Sequence, residues 1–416
     1  MTDISRSNRS LSLDMLQNTW ATFIYFLTQW LVTIAATRMR GYEEAGVLTL
    51  AISFSNIFGM LSRFGMRGFQ VGDVEKKYSD GLYFTSRLIT CVVSVVVFFI
   101  SLYIMGYRKQ LVSACIAMMG FKTLESLDDV AMGTMQRYRR YDYIAISYTL
   151  KGVFSAAAFV IGLYIGFPLP GCIALMSGVY LMVLILYDAV RLRGTAFFRL
   201  TGKNMMVLFC SCIPLVISSI LDTVLVFIPR NAVERICGTA LLGYYGTISI
   251  IVIVSSTLVS AIWGSILPEI SHMIHDRKKR ELKVLISKIA ACVLALSALI
   301  MIVGMKACPF FFRLIYGPDI LKHMEILPAV LGNAILMTLN SFFLCIFIPL
   351  NKQRFMSISN AAAVLCCLLF SQLLTQQYQL IGACLSLTSA LLIRFVIQFV
   401  GSIVYTKRAL DVPNEA

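Results

Sequence analysis

FTSRLITCVVSVVVFFISLYIMG, residues Phe84–Gly106, decides how the chain is read. After Arg87 it holds no ionisable group but Tyr103 and one thiol. It has the length that about 20 helical residues need to cross the hydrocarbon core of a bilayer. It is too long and too continuously apolar for one face of a soluble helix, where polar positions recur every turn. Working outward, runs of the same kind fill the chain. Hydrophobic residues make up 58% of 416 positions, and the mean hydropathy is +0.81. The expected fold is therefore all-α and polytopic.

About twelve spans of roughly 20 residues can be marked. The first six are expected at 15–37, 45–64, 84–106, 111–135, 144–165 and 172–190. The second six are expected at 205–228, 241–267, 284–305, 326–350, 356–374 and 381–405. The basic break Arg191, Arg193, Arg199 and Lys203 separates the two groups. This predicts two six-helix lobes, 1–200 and 201–416, around a central cavity, a layout compatible with parallel repeats about a substrate site. Pro214 is expected to kink or break the seventh span, because it removes a backbone donor.

The net charge of +15 is not a nucleic-acid signature. Lys and Arg lie mainly between apolar runs, with no basic arm and no recognisable nucleic-acid motif. One set of connections, from Arg6 and Arg9 through Lys278 and Lys279 to Lys407 and Arg408, carries about 23 basic residues. The alternate set carries about 9, so the first set and both termini are expected in the cytoplasm. The first apolar run has no small-residue cleavage site after it and is expected to be a retained span. The twelve cysteines form no CxxC pair. They are read as small core hydrophobes rather than disulfide or zinc ligands. His272 and His275 have a spacing a metal could use but no supporting ligands. No metal and no cofactor is expected.

An ionisable group inside a span is costly and faces a bundle interior or a watery cavity. In the fourth span Lys122, Glu125 and Asp129 lie at i, i+3 and i+7, one helical face. Lys151, about two turns into the fifth span, matches Asp128 and Asp129 in depth, so a pair between them is expected. Arg63 ends the second span with a planar fork of donors suited to phosphate oxygens. Arg67 is read instead as reaching back to the inner headgroups. Asp222 and Arg230 mark the seventh span, and Arg394 stands alone midway through the twelfth. Cations slightly outnumber carboxylates in these spans, which points to a cavity that receives an anion. The cationic candidates are Arg38, Arg40, Arg63, Lys122, Lys151, Arg230 and Arg394. Glu125, Asp128, Asp129 and Asp222 are the candidates for ion coupling, to H⁺ or Na⁺.

The order of short motifs carries a resemblance over nearly the whole chain. Lys122-x-x-Glu125-Ser126-x-x-Asp129 is followed by Gly133-x-x-Gln136 and Arg140-x-Asp142-x-Ile144-x-x-Ser147. Before it comes Gly65-x-Arg67-x-x-Gln70-x-x-Asp73, then Arg87. Beyond it come Ile228-Pro229-Arg230, Gly243-Tyr244-Tyr245, Leu267-Pro268-Glu269-Ile270-Ser271 and Ile315-Tyr316-Gly317-Pro318. This pattern resembles the bacterial capsular and O-antigen repeat-unit flippases of the multidrug/oligosaccharidyl-lipid/polysaccharide exporter superfamily. The resemblance implies a cationic cavity, with Arg38, Arg40, Arg63 and Arg230 at basic places, and rocker-switch alternating access. It implies an undecaprenyl-pyrophosphate-linked oligosaccharide as substrate. Membrane lipids and polysaccharide polymerase machinery are the other expected partners, in the bacterial cytoplasmic membrane. The chain ends at the twelfth span, whereas peptidoglycan-precursor flippases carry further C-terminal helices, so that precursor is not the expected substrate.

A multidrug exporter of the same fold is the alternative, but its cavity would favour acidic and aromatic groups for cationic drugs. A membrane enzyme predicts a large outer loop or an intramembrane histidine, and neither is in the sequence. A scaffold gives no reason for a basic interior. The orientation has a direct check. Cysteines introduced into the Arg191–Lys203 and His275–Lys288 loops should stay unlabelled when an impermeant thiol reagent is applied to intact cells, and label after lysis.

Overall fold

The computed structural model describes residues 11–73, 78–192, 202–253, 255, 270, 273, 279–350 and 352–411. Arg6, Arg9, Lys76, Lys77, Arg193, Arg199, His272, His275, Lys278, most of the Leu267–Ser271 motif and the end of the eighth expected span lie outside them. Among the described residues there is helix and no strand. The chain is an all-α, multi-pass membrane protein.

It divides into two compact units, Met1–Thr223 and Val224–Ala416. In the first, α1 (Leu11–Arg63) is followed by the short α2 (Met66–Gly72), then α3 (Asp80–Met105), α4 (Lys109–Arg137), α5 (Tyr141–Ile165) and α6 (Leu169–Val183). One π turn, Leu184–Asp188, carries α6 on to Arg191. The helix Gly202–Cys237 runs through Pro214 and Pro229 without a break, so of the kink or break expected at Pro214 the break does not occur. Proline removes one hydrogen bond, but the flanking ones have no water to turn to and hold the helix together. The second unit holds the helices Thr239–Ile248, Lys279–Tyr316, Leu327–Phe342 and Gln353–Asp411.

Eight helical stretches among the described residues are long and apolar enough to cross a membrane. Two of these, Thr19–Gly72 and Gln353–Lys407, have 54 and 55 residues. At 1.5 Å per residue each is well over twice the thickness of a bilayer core. Each is divided between two expected spans at a non-helical residue. Gly41 (φ 86°, ψ 179°) separates the first and second expected spans within α1. Gln379 (φ 50°, ψ −125°) separates the eleventh and twelfth. α4 is not among the eight, because its second half carries four charges.

The helices are inside out relative to a soluble bundle. On α3 the exposed face is Val92, Val93, Val96, Phe99, Ile100 and Tyr103, while Arg87, Thr90 and Ser94 are buried. The buried polar groups find backbone acceptors on α1. Arg87 Nη1 and Thr90 Oγ1 donate to the Ser62 carbonyl at 3.1 and 2.6 Å, and Ser94 Oγ donates to the Phe58 carbonyl at 2.5 Å. Lipid gives helices no hydrophobic reason to associate, so such polar rungs and close packing do it. The second unit repeats the device. Asn333 and Asn340, seven residues apart, donate to the carbonyls of Cys384 and Leu391 at 3.1 and 3.2 Å. Thr388 returns a bond to Asn333 Oδ1 at 2.8 Å.

The break at Gln379 depends on close backbone approach. A Cβ on Gly382, three residues on, would collide with the carbonyl of Leu374, which is backbone and cannot swing away. A Cβ on Gly120, in α4, would meet nothing within 4 Å. Gly382→Ala should therefore lower thermal stability in detergent, by about 1–3 kcal/mol for a forced overlap. Gly120→Ala should leave it unchanged or raise it by up to about 1 kcal/mol.

Candidate functional site

The charges predicted to face inward do converge, and α4 gathers them. Its residues at i and i+4, Glu125 and Asp129, point the same way along one helical face. Glu125 Oε2 is 2.7 Å from Lys122 Nζ, its own neighbour on α4, and 3.2 Å from the Arg63 guanidinium on α1. Tyr25, also on α1, donates its phenol to Glu125 Oε1. Asp129 takes two arginines. Arg87 of α3 lies 2.8 Å from its Oδ2 and is fully buried, and Arg67 of α2 lies 3.3 Å from its Oδ1.

Local backbone brings the two outer arginines to α4 together. Phe64 and Gly65 both adopt left-handed φ, 48° and 61°, and this break ends α1 and starts α2. Arg63 and Arg67 flank the break and reach neighbouring carboxylates on α4. Arg67 was expected at the headgroups; it turns inward instead. Beyond Asp129 it donates to Gln136 Oε1 at 3.1 and 3.2 Å and to the Tyr148 hydroxyl at 3.3 Å. Acceptors on α4 and α5 satisfy a guanidinium at less cost than reaching the interface from an inward-facing position. Gln70, one turn further along α2, is anchored on α4 by bonds to the Val130 carbonyl and Thr134 Oγ1 at 3.2 and 2.9 Å.

Below this cluster Arg137 ties the start of α3 to α4. It donates to Asp73 Oδ2 and its carbonyl at 3.1 and 3.0 Å, to Asp80 Oδ1 at 2.9 Å, and to the Tyr78 carbonyl at 3.2 Å. Asp128 faces other partners. It pairs with Lys151, as matched depth predicted, and Lys151 pairs also with Asp188. Tyr180 donates to Asp128 Oδ2 at 2.7 Å.

The other candidates lie apart from α4. Arg40 donates to the carbonyls of Leu163 and Phe167 at 3.2 and 3.1 Å, closing the end of α5, where a helix leaves acceptors unsatisfied. Arg38 is exposed, Arg230 and Arg394 are buried, and Asp222 is partly buried. Asp222 and Arg230 stand about two turns apart on Gly202–Cys237. Sequence reasoning did not single out Tyr25, Tyr148, Tyr180 or Asp188. Asp188 had a signal: a lone acid in the apolar run Leu184-Ile-Leu-Tyr-Asp188, inside a span, demands a basic partner. The tyrosines had none: Tyr148 lies near a span end, where an aromatic reads as an interfacial anchor, and Tyr25 and Tyr180 lie mid-span, where one reads as packing.

Electrostatically, Glu125 and Asp129 are two carboxylates shared by four cations: Arg63, Lys122, Arg67 and Arg87. The excess sits at the edge where Arg63 and Arg67 are partly exposed. An arrangement with two surplus positive charges and partly exposed guanidinium forks can hold a divalent anion with planar, bidentate bonds.

A family model described as "Polysaccharide biosynthesis protein" matches residues 14–274. Over 394 residues, 92% of this chain and 96% of the relative, the sequence is 22% identical to "Capsular polysaccharide biosynthesis protein CapF" of Staphylococcus aureus. The fold is similar to that of the lipid II flippase MurJ in an inward closed conformation, with TM-score 0.69, 14% identity, and 96% and 94% of the two chains covered. It is also similar to an inward-facing multidrug resistance MATE family transporter of the MOP superfamily, with TM-score 0.62, 16% identity, and 94% and 95% covered. At these identities the two structural likenesses speak to fold alone; the proteins named in them are a flippase and a transporter, not enzymes.

The ion pairs make a measurable stability statement. Asp129→Leu would leave buried Arg87 without its carboxylate, at a cost of roughly 3–5 kcal/mol. Thermal unfolding of the purified protein should show that loss. The double variant Arg87→Leu/Asp129→Leu should recover a good part of it, because the stranded charge is gone.

Proposed function

The chain belongs to the polysaccharide biosynthesis protein family, and on that premise we propose that it is a flippase for lipid-linked oligosaccharides. It carries undecaprenyl-pyrophosphate-linked repeat units across the bacterial cytoplasmic membrane for surface polysaccharide synthesis. The pyrophosphate is the anion that the surplus cations gathered around α4 receive, and the prenyl tail stays in lipid. The single observation that supports this most is the ratio at Glu125 and Asp129, four cations to two carboxylates. A carrier of cationic drugs calls for the reverse balance.

Transport proceeds by alternating access between lobes 1–200 and 201–416, driven by a proton or sodium gradient. Both termini are cytoplasmic. Arg63 lies toward the inner end of its span and Arg230 toward the outer end of its own. A carrier open first to one face and then to the other needs a cation reachable from each. Lys122, Arg38, Arg394 and Lys151 supplement them, and Arg40 joins once it leaves the end of α5. The polymerase machinery receives the flipped unit. The alternative, a multidrug exporter, draws its support from the likeness in fold to a multidrug transporter.

Arg63→Ala and Arg230→Ala should each cut surface-polysaccharide export roughly tenfold or more at normal membrane levels, since a charge-assisted contact contributes about 1.5–3 kcal/mol. Lys at either position should restore only part, because it lacks the bidentate fork. Full export by both alanine variants overturns the mechanism. Loss of drug tolerance with intact polysaccharide supports the exporter instead.

A further inference from the structure

Beside the arginine cluster, α4 carries a second cluster whose balance runs the other way. Asp128 is 2% exposed, and Lys151 and Asp188 are fully buried. The Lys151 ammonium bridges Asp128 Oδ1 and Asp188 Oδ2. Tyr180 bonds Asp128 Oδ2, and its ring lies 5.2 Å from the ammonium. Asp128 therefore has a donor on each oxygen. Asp188 does not: its Oδ1 is buried without a hydrogen-bond partner. The buried Ser147 hydroxyl stands next to Asp188 but makes no bond of full geometry with it.

Neighbouring groups do not correct the imbalance, because each is engaged elsewhere. On α1, Tyr25 donates to Glu125, and Glu125 is held by Lys122 and Arg63. On α5, Tyr148 accepts from Arg67, and Asp142 is held by Arg140 at 2.9 Å. Arg191, just beyond Asp188, lies over the rings of Tyr143 and Tyr187 at 4.9 and 5.3 Å. What remains is one ammonium between two carboxylates, a net charge of −1 buried among the helices. An uncompensated buried charge is costly, and the usual relief is to take up a proton. A metal cation is a poor fit, because the ammonium already stands between the carboxylates where it would bind.

The backbone has a feature of its own here. The π turn of α6 ends on Asp188. Single π turns within α-helices are uncommon and recur at functional sites. The widened turn alters the facing of the residues after it, and the carboxylate it ends on is the one that reaches Lys151.

We propose that Asp188, with Lys151 and Asp128, forms a site that binds and releases one proton, held on Asp188 Oδ1 and shared with Ser147 Oγ. The proton comes from water and returns to it; no other bond forms or breaks. With Asp188 ionised, Lys151 is divided between two carboxylates. With Asp188 neutral, it belongs to Asp128. Asp128 and Asp129 are successive residues of α4, so that shift is felt one residue from the arginines. The inference rests on the flippase reading only for its purpose, coupling a proton to the anion site.

The test is infrared difference spectroscopy of the full-length protein in lipid vesicles, stepped in pH without any glycolipid. Acidification should bring up a protonated-carboxyl band that Asp188→Asn abolishes and Asp188→Glu retains. Asp188→Asn leaves a neutral Lys151–Asp128 pair and should insert normally. Should it fail to insert, Ser147→Ala decides, since it keeps every charge: a displaced midpoint supports the site and an unmoved one overturns it. A band indifferent to Asp188→Asn, or no band, also overturns it. Glycolipid flipping is then measured in the same vesicles. Flipping without the band removes the proton site alone, and the band without flipping removes the flippase reading alone.

Discussion

A carboxylate inside a bilayer has no water to fall back on, and α4 carries three of them between positions 125 and 129. Everything in the first unit answers to that constraint. Each acid must be met by donors from other helices, and the donors come from all sides. Tyr25 and Arg63 come from α1, Arg67 from α2, Arg87 from α3, Lys151 from α5 and Tyr180 from α6. A helix that fails every test of apolarity is thereby the one the others are built around. Its acids fix both the depth and the rotation of five neighbours, because a helix turned by even one position would strand a charge.

The acids are not all treated alike. Glu125 and Asp129 receive more positive charge than they can use, while Asp128 and Asp188 receive less. The two imbalances meet at one helix and are opposite in sign, so each offsets part of the other. The arrangement still keeps one place hungry for an anion and another for a proton. Bundles glued by polar contacts need no such separation; Asn333 and Asn340 in the second unit donate to carbonyls and carry no charge to be balanced.

Much of this was legible in the sequence, and the reason is the cost of burying charge. Apolar run length marked the long apolar helices, and depth matched Lys151 to the Asp128–Asp129 pair, of which it takes Asp128. What stayed hidden came from geometry that run length does not encode. Arg67 read as a headgroup anchor because its position at a span end permits that, and only the left-handed pair Phe64–Gly65 turns it inward. Asp188 carried only the mark of an acid in want of a basic partner, because nothing local tells that a π turn ends there and aims it at Lys151. Pro214 read as a kink or break, yet the helix continues, since in lipid a lost hydrogen bond does not propagate. Arg40 also closes the end of α5, a bond that nothing in the run length foretells.

The buried acids of α4 also bear on how the chain is made. Translation delivers Arg63, Arg67 and Arg87 before α4, but Lys151, Tyr180 and Asp188 only afterwards. When α4 leaves the ribosome, Glu125 and Asp129 can be neutralised at once, while Asp128 has no partner yet in the bilayer. Insertion of α4 on its own is therefore opposed by a charged residue, and it becomes favourable when α5 brings Lys151 to Asp128. The two helices are thus best released to lipid as a pair, so the order of synthesis is part of the fold's specification.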